Sequence, residues 1–236
     1  MCGRFAMDDS SNELLEQIVA EHGIGALKDW QKHWPPRYNT APTQDVPVAR
    51  GHGGRREIAS VRWGIVAPGS PAFGGGRPII NARIETVATN GLFTGPFASH
   101  RCIVAAAGYY EWQVGEHGKQ PVFIHFPGRP IAMAGIIRPW PDPAKGENDA
   151  GKWRLSMAII TRDAHVAPGE VHDRMPACLT PDAVHEWLGD HLDSTGLLRL
   201  LDDSSIRVAH ELEHYPVDRA VNSTKNEGAQ LIAPLG

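Results

Sequence analysis

The 236-residue chain has little cysteine: Cys2, Cys102 and Cys178, no two of them in a CxxC pair. That spacing argues against a disulfide framework and against a structural zinc site. No apolar run is long enough to span a bilayer, so no membrane partner is expected. The opening stretch MCGRFAMDDSSNELL has no basic region followed by an apolar one. It does not read as a secretory signal, and the expected compartment is the cytoplasm. Positive charge is scarce as well: 23 Lys and Arg stand against 27 Asp and Glu, a net charge of −4 with twelve histidines neutral. This balance disfavours a nonspecific nucleic-acid coat but leaves room for one local basic groove. The glycines of GSPAFGGGRPI lack the GK[ST] ending of a phosphate cradle and read as a linker loop. Repeats and a clear domain boundary are also missing.

What is present fits one soluble α+β domain over residues 1–236. Hydrophobic residues make up 42% and charged residues 21%, and the length allows a sizeable core. SSNELLEQIVAEHG reads as a helix capped by Ser10 or Ser11, with Leu14, Leu15, Ile18 and Val19 as its apolar stripe and Gly23 as its end. Prolines block helix from Pro35 to Pro47. Strands are expected near Val46–Arg50 and in REIASVRWGIVAP, RCIVAAAGYYEWQV, PVFIHFPGRPIAMAGII and WRLSMAIITRDAH. RPWPDPAKGENDAGK reads as a surface loop, TPDAVHEWLGD and DSTGLLRLLDD as helices, and IRVAHELEHYPVD as a closing strand before an extended tail. So many short β-prone runs point to a β-rich, barrel-like core with peripheral helices.

Three stretches concentrate polar groups at a spacing of two. INARIET sets Asn81, Arg83 and Glu85 on one face of an extended chain, with Ala82 and Ile84 on the other. GYYEW separates Tyr109 and Glu111 from Tyr110 and Trp112. VHDRMP puts His172 and Arg174 on one side, and Pro176 keeps Met175 extended. Apolar neighbours make burial of Glu111 the expectation, and a buried carboxylate must pair, for example with Arg83, or become protonated. Cys2 is the other oddity. A thiol one residue from the chain start gains little from packing. If the initiator methionine is trimmed, that residue carries an α-amine and a thiol on adjacent carbons.

Taken in order, MCGRF, RYNTAP, VRWGIVAP, INARIET, GYYEW, HDRMP and AVNSTKNEGAQLIAP resemble the SRAP family, the SOS-response-associated peptidases that process abasic sites. The resemblance spans nearly the whole chain. It implies a covalent link between Cys2, freed by loss of Met1, and the ring-opened aldehyde of an abasic site in single-stranded DNA. It implies roles for Asn81 in orientation, Glu111 in proton transfer and His172 in sugar-ring opening or protonation of the departing hydroxyl. Arg4, Arg83 and Arg174 match phosphate-gripping positions, joined by Asn39 and Thr161. No metal or cofactor is implied, a monomer is the default, and self-processing at the N-terminus and strand cleavage are expected as associated reactions. The resemblance also implies association with the nucleoid on DNA damage.

Two departures stand out. Relatives commonly carry a tryptophan wedge in the loop after WG…P, where this chain offers only Phe73 to stack on a base. The usual acidic residue before GFYEW is Ala107 here. Two other readings compete. An N-terminal-nucleophile amidotransferase would also use Cys2, but no fitting Asn-Gly motif follows. A noncatalytic single-strand DNA-binding module would leave Cys2 incidental, and would not need Glu111 and His172.

Overall fold

In the computed structural model, which describes residues 2–20, 34–52, 54–115, 118–149 and 151–235, the strands are β1 (Phe5–Met7), β2 (Arg37–Thr40), β3 (Asp45–His52), β4 (Arg55–Trp63), β5 (Asn81–Arg83), β6 (Arg101–Ala106), β7 (Gly108–Gly115), β8 (Gly118–His125), β9 (Ile131–Pro141), β10 (Trp153–Asp163), β11 (Arg174–Pro176), β12 (Cys178–Leu179) and β13 (Glu213–Pro216). The helices are α1 (Asp9–Ala20), α2 (Ile84–Val87), α3 (Thr94–Ser99), α4 (Val166–Val171), α5 (Pro181–Leu188) and α6 (Ser194–Ala209).

Five strands close into a barrel in the order β10-β4-β3-β6-β9, and β9 returns to β10. The seam between β4 and β10 is parallel, with Arg62 opposite Ser156 and Trp63 opposite Met157. The apolar run RCIVAA explains the position of β6: all six of its residues are buried, as in a strand covered on both faces. A second sheet, β13-β8-β7-β1-β2, leaves the barrel where β6 passes into β7. Gly108 is needed at that step. A Cβ there would sit 2.5 Å from both the Ile124 carbonyl oxygen and the Phe123 ring. Gly64 makes the other tight step, with φ near +125° and Pro78 placed so that a Cβ on Gly64 would sit 2.7 Å from its side chain.

The core contains two fully buried tryptophans whose indole N–H groups are satisfied. Trp63 donates to the Ile80 carbonyl at 3.0 Å and Trp187 to that of Cys102 at 2.9 Å. Strand β7 divides the core cleanly. Tyr109 faces the barrel cluster, while Tyr110 and Trp112 join Ala6, Phe123, Val217, Val221 and Leu231 in a second cluster. The alternation read from GYYEW is therefore the physical boundary between two packing layers.

Several expected elements differ. Helix α1 starts two to three residues earlier than a cap at Ser10 or Ser11 would place it, because the Asp8 carboxylate accepts from the Ser11 amide at 3.0 Å and acts as the cap. Its expected end at Gly23 lies outside the described residues. IRVA continues α6 instead of starting a strand: Leu197, Leu201, Ser204, Ser205, Val208 and Ala209 carry one buried helical stripe through it. Only Glu213–Pro216 of the closing run pairs as a strand, against β8. The glycine-rich loop is no free linker. Phe73 packs on Trp140 at a 5.7 Å centroid separation, and the Trp140 indole donates to the Ser70 carbonyl.

Candidate active site

The site forms where β1, β5, β7 and the α4–β11 turn meet. β1 pairs antiparallel with β7, Phe5 opposite Tyr109 and Ala6 opposite Gly108, and the Tyr110 amide donates to the Arg4 carbonyl at 2.9 Å. This register carries the chain start along β7 toward Glu111. β5 lies parallel to β10, Asn81 opposite Ile159 and Arg83 opposite Thr161. From there the Asn81 side-chain amide donates to the Cys2 carbonyl at 2.9 Å. Helix α4 is tied to β7 by Gln113, whose amide donates to the Glu170 carbonyl at 3.0 Å. The chain leaves that helix extended at His172, bringing its Nε2 to 3.9 Å from Glu111 Oε2. Cys2, Asn81, Glu111 and His172, scattered over 170 residues of sequence, thus share one site.

Burial sets the protonation states. Cys2 is wholly buried, and its thiol is raised well above the ordinary range, first by burial and then by Glu111. Glu111 is only 3% exposed, and burial raises its carboxyl too, opposed in part by His172. A neutral acid beside a neutral thiol is the arrangement that desolvation favours. His172 Nδ1 has two neighbours, the Arg174 amide at 2.9 Å and Asp173 Oδ1 at 2.7 Å. They ask opposite things of it. A bare Nδ1 accepts from the amide and leaves the ring proton on Nε2, facing Glu111, whereas a protonated Nδ1 donates to Asp173.

The other sequence candidates divide into three groups. Arg4 and Asn39 are structural neighbours: Arg4 donates to Asn39 Oδ1 at 2.6 Å and to the Val221 carbonyl at 2.7 Å, and lies over the Trp112 ring. Asn39 is fully buried, its amide spent on the carbonyls of Ser223 and Asn226. Arg174 forms a two-pronged pair with Glu85 at 2.6 and 3.1 Å and also reaches Asp163 and the Thr161 carbonyl. The polar face expected for Asn81, Arg83 and Glu85 ends at Arg83, where helix α2 begins and turns Glu85 toward Arg174. Arg83 is exposed, and after Arg174 its charge helps lower the Glu85 carboxyl. Thr161 is buried, with its hydroxyl lacking a hydrogen-bond partner among the described residues. Phe73 is not brought to this site. It sits by the β9–β10 hairpin against Trp140, with the Arg154 guanidinium 3.9 Å from its ring centre.

Tyr109 carries a feature that sequence reasoning placed on the Glu111 face without giving it a role. Its hydroxyl is buried without a partner among the described residues, and burial followed by Cys178, Cys2 and Glu111 raises it well above the ordinary phenol range. Cys178 reaches the same neighbourhood from β12, a long-range contact with no local signal in the sequence. Asp173, to which the sequence reading gave no role, borders His172 directly. Among the described residues, no group of three or more His, Cys, Asp or Glu is arranged to hold a metal ion, and no helix is long and apolar enough to cross a membrane.

The family model for SOS response associated peptidase (SRAP) matches residues 1–224. The chain belongs to the SRAP family. It is 32% identical over 235 residues to the abasic site processing protein YoqW of Bacillus subtilis, covering 98% of this chain and 99% of that one. It is 31% identical to YedK of Escherichia coli, of the same description, over the full length of both chains. A Gallus gallus relative, the abasic site processing protein HMCES, is 29% identical over 276 aligned residues, covering all of this chain and 78% of that protein. A crystal structure of a protein from Bacteroides thetaiotaomicron superposes with a TM-score of 0.79 over 99% of this chain and 100% of the other. At 21% identity that likeness speaks for the fold alone.

Proposed function

We propose that this SRAP chain processes abasic sites in single-stranded DNA by linking them covalently to Cys2 after Met1 is removed. The observation that carries the reading is the grip of Asn81 on the Cys2 main chain, 2.9 Å, beside the buried acid Glu111. The names of the full-length relatives agree with the substrate.

The reaction follows from these groups. The freed α-amine, with a reference pKa near 8, has a useful neutral fraction at neutral pH. It adds to the aldehyde carbon of the opened sugar. The neutral Glu111 carboxyl protonates the resulting hydroxyl, which leaves as water and gives a protonated imine, with Glu111 left as the carboxylate. The Cys2 sulfur then adds to the imine carbon, the C=N electron pair returns to the ring nitrogen, and the thiol proton passes to the Glu111 carboxylate. The sum is aldehyde plus aminothiol giving a thiazolidine and water, with Glu111 returned to its starting state. Asn81 Oδ1 is buried without a hydrogen-bond partner among the described residues, so it can accept from the freed amine or a sugar hydroxyl. His172, with its proton on Nε2, assists sugar-ring opening. Arg83, the exposed guanidinium beside β5, supplies a phosphate contact, with Arg4, Arg174, Thr161 and Asn39 behind it.

The test is a denaturing gel of the protein with single-stranded DNA carrying a natural abasic site. A heat-stable shifted band is expected, absent with Cys2→Ala and absent with a reduced abasic analogue that has no aldehyde. Intact mass should show loss of Met1. A fully trimmed protein that gives no shifted band would overturn the proposal.

A further inference from the structure

The barrel has a second polar cavity, of about 340 Å³, between the tip of the β3–β4 hairpin, the start of β6 and the end of α5. Six of its lining side chains can carry positive charge: Arg50, His52, Arg55, Arg56, His100 and Arg101. Asp190 is the only acidic residue among the described residues lining it. β6 begins here at Arg101 and delivers the chain to β7 at its other end, so the cavity and the Cys2 site lie roughly 20 Å apart, the length of six strand residues.

The charges are fixed in place. Arg101 is 5% exposed, and its guanidinium donates to the carbonyls of Phe97, Ala98, Trp187 and Gly189. These neutral acceptors orient the charge without cancelling it. Its carboxylate neighbour, Asp190, stands 3.5 Å away with a side chain 95% exposed. Arg56 is buried beside it and bonded to the Ile18 and His185 carbonyls. Arg50 pairs with Glu57 at 2.6 Å across the hairpin. Arg50 and Arg101 face Glu57 and Asp190, while Arg55 has no carboxylate partner among the described residues, which leaves a positive excess at the cavity before either histidine is protonated, in a chain whose net charge is −4.

We propose that this cavity is a second anion site, taking a phosphate group between Arg50, Arg55, His52 and His100. The exposed Arg55 and the imidazoles supply N–H donors, while the buried Arg101 supplies field. His100 senses that field: its imidazole is held below the ordinary range, by burial first and then by Arg50, His52, Arg101 and Arg138. A phosphate group reverses the sign of what His100 faces. The site stands independently of the Cys2 reaction, because it shares no residue with it.

The experiment follows the imidazole NMR signals of His52 and His100 in the full chain. It adds inorganic phosphate, thymidine 5′-monophosphate or a tetrathymidylate without a terminal phosphate, against sodium chloride at matched ionic strength. Saturable shifts with the first two probes assign the site to free phosphomonoesters, and saturation by the oligonucleotide assigns it to strand backbone. In either case Arg55→Glu should weaken binding at least about tenfold, and Cys2→Ala should leave it unchanged. Shifts that chloride reproduces, or that Arg55→Glu leaves intact, overturn the proposal. The Arg55 side chain is exposed, so that variant should keep the fold, which the unchanged remainder of the spectrum would verify.

Discussion

The two ends of the barrel handle charge in opposite ways. At the Cys2 end the guanidiniums of Arg4 and Arg174 are already engaged, one by Asn39 and the Val221 carbonyl, the other by Glu85 and Asp163. The thiol and the carboxyl between them are buried and pushed toward their neutral forms. At the hairpin end, buried arginines are held by carbonyls, and the positive charge outnumbers its carboxylates. Proton transfer needs groups that desolvation keeps neutral until a partner arrives, whereas anion capture needs charge that the protein has not spent. One fold can hold both because residues 102–106 of β6 form an apolar wall between them.

The contrast breaks most sharply at Glu111. Glu111→Gln keeps the shape and removes the proton carrier, so the crosslinking rate should fall by about 10²- to 10⁴-fold in single-turnover gels. Stability should move the other way. The folded carboxyl is raised above its unfolded value, so its stabilising contribution is complete below the unfolded pKa and is lost as pH rises through the folded one. Above that window the wild-type chain holds a buried charge that the glutamine variant lacks. The wild-type urea midpoint should therefore fall relative to that of Glu111→Gln as pH rises from about 4 upward, and parallel curves would contradict the raised carboxyl.

Asn81→Ala should come next. It releases the Cys2 carbonyl from its 2.9 Å anchor without removing a reacting atom. A misplacement of the order of 1 Å at a reacting centre costs about 10²-fold. The loss should appear in the rate at saturating abasic DNA, and a defect confined to DNA affinity would make Asn81 a binding residue only. Arg4→Ala tests the scaffold of the same end. The guanidinium joins β1 to β2 through Asn39 and to the 219–222 turn through Val221, where Trp112 also donates to Asn222 at 2.7 Å. Losing hydrogen bonds to a charged group should cost about 1.5–3 kcal/mol, read from urea unfolding.

Much of this end could be read from residue spacing. Apolar neighbours pointed to the burial of Glu111, and the alternation in GYYEW set Tyr109 and Glu111 on the face opposite Tyr110 and Trp112, because period-two patterning is a local property of an extended chain; that the two faces belong to two packing clusters is seen only in the fold. The same logic failed at Glu85. The strand stops at Arg83, and no residue in INARIET announces that a four-residue helix follows. The tail AVNSTKNEGAQLIAPLG, expected to be extended, instead winds into 3₁₀ turns at Arg219–Asn222 and Ala229–Ile232, and its contact with Asn39 had no local signal because it joins residues some 180 positions apart. Phe73 shows the converse. The resemblance left it as the one substitute for a tryptophan wedge in a loop read as a linker, and cation and ring contacts tie it to the β9–β10 hairpin. The hairpin-end cavity had no signature at all, because its arginines come from three segments that only barrel closure assembles.

The smallest expected effect concerns Glu85, where the two ends can be compared by acid titration. Arg174, by hydrogen bonding first, holds the Glu85 carboxyl below the ordinary range. A carboxyl depressed in the folded state contributes stability above its unfolded pKa and loses it as pH falls through the folded one. The side chain is 46% exposed, so solvent screening should keep the contribution under about 1 kcal/mol. Urea midpoints taken from pH 6 down to pH 3 should fall more steeply for the wild type than for Glu85→Gln. Parallel curves would mean that the Arg174 pair adds nothing in solution. The guanidinium would then be available to a DNA phosphate, and the Cys2 end would resemble the hairpin end more closely than its crowded ion pairs suggest.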